Sequence, residues 1–416
     1  MRKILLGTTG VVAAALIGMG AAQAQEAPRV TVGGFMLTQM NWQDDDLDGK
    51  GTGPTGVGGQ GAVERDAIDF KNEVEIVLNV TGKAANGLAY GAVIEIQNDG
   101  TGGSVLDLDE AYVFVGTPTL GQLRFGEEDS AANLLQVRHP ALATSGTDGD
   151  WDDGLGSASA FTAGGPSLVA SINDANDSTK IIYLSPQFAG FDFGLSFTPN
   201  RNEGDRIIAG RALDSLGGSI TPTSGQRDAI GLTNEISAAL RYRGTFGGVG
   251  IAAGFGYMQA DGAKATAAGA ATTSITGADM TAYTVGMQLS AFGFTVGGEY
   301  TWGQYQGTVS AAPVAKANQD DSSHFALGVT YTTGAISVGA FYGAAEQDTN
   351  TGANANKKRE QTVWGISGLY AIAPGLDVYA TYAQLEDTNV NLGSASSPRV
   401  ANRDATVFLI GTRIAF

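Results

Sequence analysis

The chain has 416 residues, a formal net charge of −18, 61 glycines, no cysteine and 16% charged residues. A charge of that sign repels phosphates, so nucleic acid is not a partner. Without cysteine there is neither a disulfide framework nor a Cys-based metal site, and the length asks for about two ordinary domains or one large β-domain.

The first element, residues 1–24, lies outside the fold. Arg2 and Lys3 precede the apolar run VVAAALIGMGAAQA, which ends in Ala22-Gln23-Ala24. A basic start, a short apolar core and an A-x-A end are the marks of a secretory signal peptide, so the mature chain is expected to begin at Gln25. Loss of Arg2 and Lys3 takes the charge from −18 to −20. Residues 25–416 then form one domain.

From there the hydrophobic pattern has period two. In FKNEVEIVLNV, Phe70, Asn72, Val74, Ile76, Leu78 and Val80 share one face, and Lys71, Glu73, Glu75, Val77 and Asn79 the other. LAYGAVIEIQ and FTVGGEYTW repeat the alternation. This is a strand with one apolar and one polar side. The spacing predicts sixteen strands, at 29–42, 67–82, 87–98, 105–116, 119–129, 177–187, 189–199, 233–244, 246–260, 279–290, 292–306, 322–333, 335–347, 360–372, 375–387 and 403–416. Tight turns such as Gly244–Gly247 and Ala291–Gly293 alternate with long polar segments such as 130–176 and 199–232. Short turns at one end and long loops at the other suit a transmembrane β-barrel, in which closure pairs every backbone group. Sixteen strands enclose an aqueous lumen. A soluble β-sandwich or a β-solenoid adhesin shows the same alternation, without the export signal and the regular loop lengths.

Three stretches carry a family resemblance. ATVFLIGTRIAF ends the chain on Phe416, as the last strand of Gram-negative outer-membrane barrels does. YLSPQFAGFDFGLSF, Tyr183 to Phe197, resembles the turn Y-x-S-P-x-F-x-G-F of general diffusion porins, and LGQLRFGEEDSA their fifth strand. The chain is similar to that family from about Val30 to Phe416, most closely to its alphaproteobacterial branch. The resemblance implies an all-β, 16-stranded antiparallel transmembrane barrel with short periplasmic turns, long extracellular loops and a third loop folded inward. It also implies a bacterial outer-membrane location, a homotrimer, contact with lipopolysaccharide, and Phe416 as the signal read by the barrel assembly machinery.

That third loop would carry Glu127, Glu128, Asp129, Asp148, Asp150, Asp152 and Asp153. The family sets such acids across the lumen from basic residues, for which alternation offers Lys71, Arg124, Lys180, Arg241, Arg243 and Arg413. The plainer reading of the acids is a solvated surface loop. Compared with the enterobacterial pattern, Asp109 and Glu127 stand where arginines are expected, which thins the basic ladder and makes the lumen more acidic. Glu110 falls on the outer face of strand four, where a subunit contact would explain it.

In DDDLDGKG, Asp44, Asp46 and Asp48 sit at the first, third and fifth positions of a calcium loop. Thr55 replaces the closing Glu and glycine-rich sequence follows, so an EF-hand is excluded; a looser Ca2+ or lipopolysaccharide-bridging site and a solvated acidic loop both remain. No other cofactor is implied. His139 and His324 are the only histidines, and no Ser and acid flank them in a recognisable motif, so the chain is not read as an enzyme. The reading is a porin passing small hydrophilic solutes and ions by passive diffusion, with cations preferred. The alternatives are a substrate-selective channel of the same build and a non-conducting surface β-protein.

Overall fold

The computed structural model describes residues 25–46, 66–98, 107–142, 144–147, 149–151, 155, 178–200, 233–262, 264–266, 274–276, 279–304, 321–349, 357–391 and 400–416. The signal segment at 1–24 lies outside them.

Strands β1 (Glu26–Asp45), β2 (Ile68–Lys83), β3 (Ala89–Asn98), β4 (Asp107–Thr117) and β5 (Gly121–Glu127) lead into a one-turn helix, α1 (Ala131–Leu134). β6 (Thr179–Leu184), β7 (Phe191–Asn200), β8 (Thr233–Phe246) and β9 (Val249–Asp261) follow. A small hairpin of β10 (Lys264–Thr266) and β11 (Ser274–Thr276) stands apart from the main sheet. The circuit continues through β12 (Met280–Ala291), β13 (Phe294–Gln304), β14 (Asp321–Thr333), β15 (Ile336–Thr349), β16 (Lys357–Ala373), β17 (Leu376–Asn391) and β18 (Val400–Ala415). Sixteen strands pair antiparallel into one closed barrel, each with its sequence neighbours and β1 with β18. The expected strand count and architecture are therefore present. The β10–β11 hairpin falls in a segment that the spacing assigns to a loop, because three residues per strand show no periodicity.

Closure is what lets a sheet stand in lipid, since an open edge would leave backbone groups unpaired. β1 and β18 run in register from Phe35↔Ala415 to Asp45↔Ala405. The last residue extends that ladder, with the Gly34 amide donating to the Phe416 carbonyl and the Phe416 amide to the Gly34 carbonyl, both at 3.1 Å.

The alternation resolves into a lumenal and a lipid face. Along β1, Phe35, Leu37, Gln39, Asn41, Gln43 and Asp45 are buried inward, while Val30, Val32, Met36 and Trp42 are exposed outward. Aromatic rings gather at both ends of the outer wall, as interfacial girdles do. Near the long-loop end Tyr257, Tyr283, Trp302 and Tyr300 form a chain of ring contacts with centroids 5.3–5.5 Å apart. Near the short-turn end Phe191 meets Tyr242 at 4.9 Å and Phe294 meets Tyr331 at 4.4 Å. At that end Gly247 and Gly248 (φ 59° and 84°) close a two-residue hairpin whose handedness matches the strand twist.

One irregularity redirects side chains. Between β3 and β4 the register steps from Ile94↔Ala111 to Ile96↔Leu108, so Asp109 and Glu110 together oppose Glu95. Such a β-bulge breaks strict alternation and re-aims a side chain.

Candidate pore constriction

After β5 the chain turns into the barrel and lies along its inner wall. Ser130 caps α1 by accepting from the Asn133 amide. The unpaired amides of Ala131 and Ala132 donate to the hydroxyls of Ser196 on β7 and Ser237 on β8, at 3.0 and 2.8 Å. These wall serines satisfy helix-start donors that have no intrahelical partner. Ala132 packs with buried Met258, Ala260, Met280 and Ala282.

Further on, Gln136 donates to the Thr284 hydroxyl at 3.3 Å, and Gln288 donates to the Arg138 carbonyl at 2.7 Å. His139 is held twice by Glu299 of β13, through its backbone amide and through Nδ1, 2.8 Å from the carboxylate. Its Nε2 accepts from the Thr147 amide at 3.3 Å. Neither ring nitrogen is left to activate a serine. The wall beneath the loop is bare: a Cβ on Gly286 would lie inside the Val137 carbonyl, and one on Gly328 inside the Pro140 carbonyl. Glycine there lets two backbones touch.

The loop reaches the far side of the barrel. Ser145 and Ser367 of β16 share a hydroxyl contact at 3.0 Å. Trp151 is fully buried, donates its indole N–H to the Gly146 carbonyl at 2.8 Å, and packs with Phe341, Val363, Tyr379, Leu385, Val407 and Leu409. The Asp150 carbonyl accepts from Gln39 of β1 at 3.4 Å, and the Leu155 carbonyl from Arg403 of β18 at 3.2 Å. The described part of the loop thus touches the inner wall from β5 and β6 round to the β18–β1 seam.

The acids expected on this loop have separate fates. Glu128 accepts from Arg124 at 2.6 Å, and its carbonyl accepts from Lys180. Asp129 and Asp150 are buried. Asp148, Asp152 and Asp153 lie outside the described residues. Glu127 is the last residue of β5, in register with Ala111 and Thr179, rather than part of the loop. Glu110 also departs from expectation. The bulge turns it inward with Tyr112, so that its carboxylate, with those of Glu128 and Asp129, forms a group whose oxygens lie within 4.8 Å.

The six basic candidates all stand on the lumenal side of their strands, the side fixed by the buried inward residues of β1 and followed round the barrel by register. Most have a local acceptor. Lys71 lies 3.5 Å from Glu73, Arg241 and Arg243 share Asp192 at 2.7 and 3.0 Å, and Arg413 lies over the Phe35 ring at 4.5 Å. Arg124 also stacks on Tyr112, 4.9 Å from its centroid.

Sequence reasoning placed Asp109 in the lumen but missed the acids that gather with it. Glu73, Glu95 and Asp109 are buried on the inner side of β2–β4. They crowd around Glu75, whose neighbouring cation is Arg413. Glu73 and Glu75 were visible as a charged face; their grouping with Glu95 and Asp109 arises only when three strands are paired. In the first acidic segment Asp44 is exposed in β1, Asp46 accepts from the Asp404 amide at 3.1 Å, and Asp48 lies outside the described residues. The lumenal member is Asp45, which pairs with Arg403.

A family model described as Gram-negative porin matches residues 9–390. In-vitro folded OmpT, an outer membrane protein of Vibrio cholerae, is 15% identical over 94% of this chain and 98% of its own, with a TM-score of 0.56. A trimer form of the same protein gives 15% identity over 94% and 100%, with a TM-score of 0.55. A porin refined at 1.8 Å is 17% identical over 93% and 100%, with a TM-score of 0.55. No curated protein matches the chain.

Proposed function

Because the chain belongs to the Gram-negative porin family and is an outer-membrane barrel, we propose that it passes small hydrophilic solutes and ions by passive diffusion, with cations preferred. The observation that carries the preference is the gathering of four carboxylates, Glu73, Glu75, Glu95 and Asp109, on the inner side of β2–β4, where Lys71 pairs with Glu73 and Arg413 lies near Glu75. A unit charge about 4 Å away in water is worth roughly 1 kcal/mol, a local cation enrichment of about fivefold. Reversal potentials across a KCl gradient test this. Wild type is expected to be cation-selective, less so at 1 M salt, where the Debye length falls to about 3 Å. The combined variant E73Q/E75Q/E95Q/D109N is expected to move the reversal potential toward zero while conductance persists. An anion-selective wild type, or an unmoved potential in the variant, sinks the reading.

The same reading makes the protein a homotrimer. Thr38 and Asn72 are hydrogen-bonded at 2.7 Å on the exposed outer face of β1 and β2, between the outward pairs Met36–Val74 and Met40–Phe70. A polar pair of this kind is costly against hydrocarbon and suits a protein–protein contact. An oligomer stable in mild detergent and dissociated by boiling is expected. A single monomeric species by light scattering in that detergent would count against it.

A further inference from the structure

The far end of the inward loop meets the barrel where the chain closes on itself. Near the extracellular end of the β1–β18 seam, Asp45 and Arg403 form an ion pair with side chains 1% and 2% exposed. Arg403 Nε donates to both Asp45 oxygens at 3.1 Å, and Nη2 to Oδ2 at 2.5 Å. The same Nη2 donates to the Leu155 carbonyl at 3.2 Å. Leu155 itself is 1% exposed and packs in the apolar cluster around Trp151. A guanidinium is a rigid fork of five donors and holds its charge at any working pH, so its acceptors must be placed to suit it. Among these acceptors are both oxygens of Asp45 and one carbonyl of the loop.

We propose that Arg403 is the positioning residue that pins the far end of the inward loop to the closing seam and so sets how far the loop stands into the pore. One structural element, the seam, then serves both to close the barrel and to gauge its opening. The electrical part of the proposal rests on the channel reading above; the chemical part does not.

The chain has no cysteine, so Leu155→Cys places a single reporter thiol in the barrel. With Arg403 in place it is expected to be protected from a water-soluble methanethiosulfonate. In Arg403→Lys, which keeps a charge opposite Asp45 but loses the fork, labelling is expected to accelerate roughly tenfold to hundredfold, the shift that loss of a hydrogen bond to a charged group brings. The double variant D45L/R403M removes both charges together, a replacement that commonly preserves stability, so assembly is kept while the latch is lost. It is expected to show the same acceleration and, without the reporter cysteine, a higher and noisier unit conductance. A merely structural seam pair would move the melting temperature and leave both readouts where they are in wild type. Wild-type labelling rates in either assembled variant overturn the proposal. A wild-type barrel that passes no current defeats the channel reading, while the labelling comparison still decides this one.

Discussion

Replacing Gly286 by valine is expected to lift the inward loop off the wall without unmaking the barrel. A Cβ at this position would overlap the Val137 carbonyl, so one of the two backbones must move. β12 is held on both sides, by β9 from Met280↔Ala260 to Ser290↔Gly250 and by β13 from Thr281↔Gln304 to Ala291↔Phe294. The loop around Val137 is held by fewer bonds, from Gln288 to the Arg138 carbonyl and from the His139 amide to the Glu299 carboxylate among them. The loop is therefore the part that yields. Overpacking costs about 1–3 kcal/mol. Loss of the two neighbouring anchors adds roughly 1 kcal/mol for the neutral bond and more for the one to the Glu299 carboxylate. Heat-modifiable protein is expected at wild-type levels, with smaller unit conductance, because the loop is pushed toward the pore axis, and with new protease cleavage between residues 128 and 178. Gly286→Ala should shift both in the same direction by less. If the valine variant shows wild-type conductance and an uncut loop, the contact does not hold the loop in place.

Deleting Phe416 is expected to abolish insertion of the barrel while leaving export intact. The residue exchanges two backbone hydrogen bonds with Gly34 at the end of the β1–β18 ladder. The residue is 63% exposed, on the outward side with Ile414, Ile410 and Phe408. Deletion leaves the Gly34 amide and carbonyl without partners at the membrane boundary, where each unpaired group costs several kcal/mol in hydrocarbon. It also removes the terminal aromatic that the porin likeness assigns to the assembly machinery. Phe416→Ala separates the two causes, because the main-chain pair survives and only the ring is lost. Loss of outer-membrane, heat-modifiable protein in both variants assigns the defect to the ring; loss in the deletion alone assigns it to closure. Wild-type levels after the deletion would show that neither matters.

The sequence by itself determined the barrel. Side-chain direction in a strand depends only on whether a residue is odd or even, and parity can be read without knowing any partner. The sixteen strands and the inward set of Lys71, Arg124, Lys180, Arg241, Arg243 and Arg413 were legible for that reason. Parity failed where pairing altered it: the extra residue of β4 against β3 turned Glu110 inward. Only the tertiary structure decided the site. Asp45 and Arg403 are 358 positions apart and meet because the first and last strands close the sheet. Glu73, Glu95 and Asp109 gather around Glu75 because three strands are in register, and Gly286 and Gly328 matter because a loop from far along the chain lies on them. Charges in a sequence carry no record of their partners, so the loop acids looked like a free cluster, whereas Glu128 is engaged by Arg124 and Asp150 is buried beside Trp151.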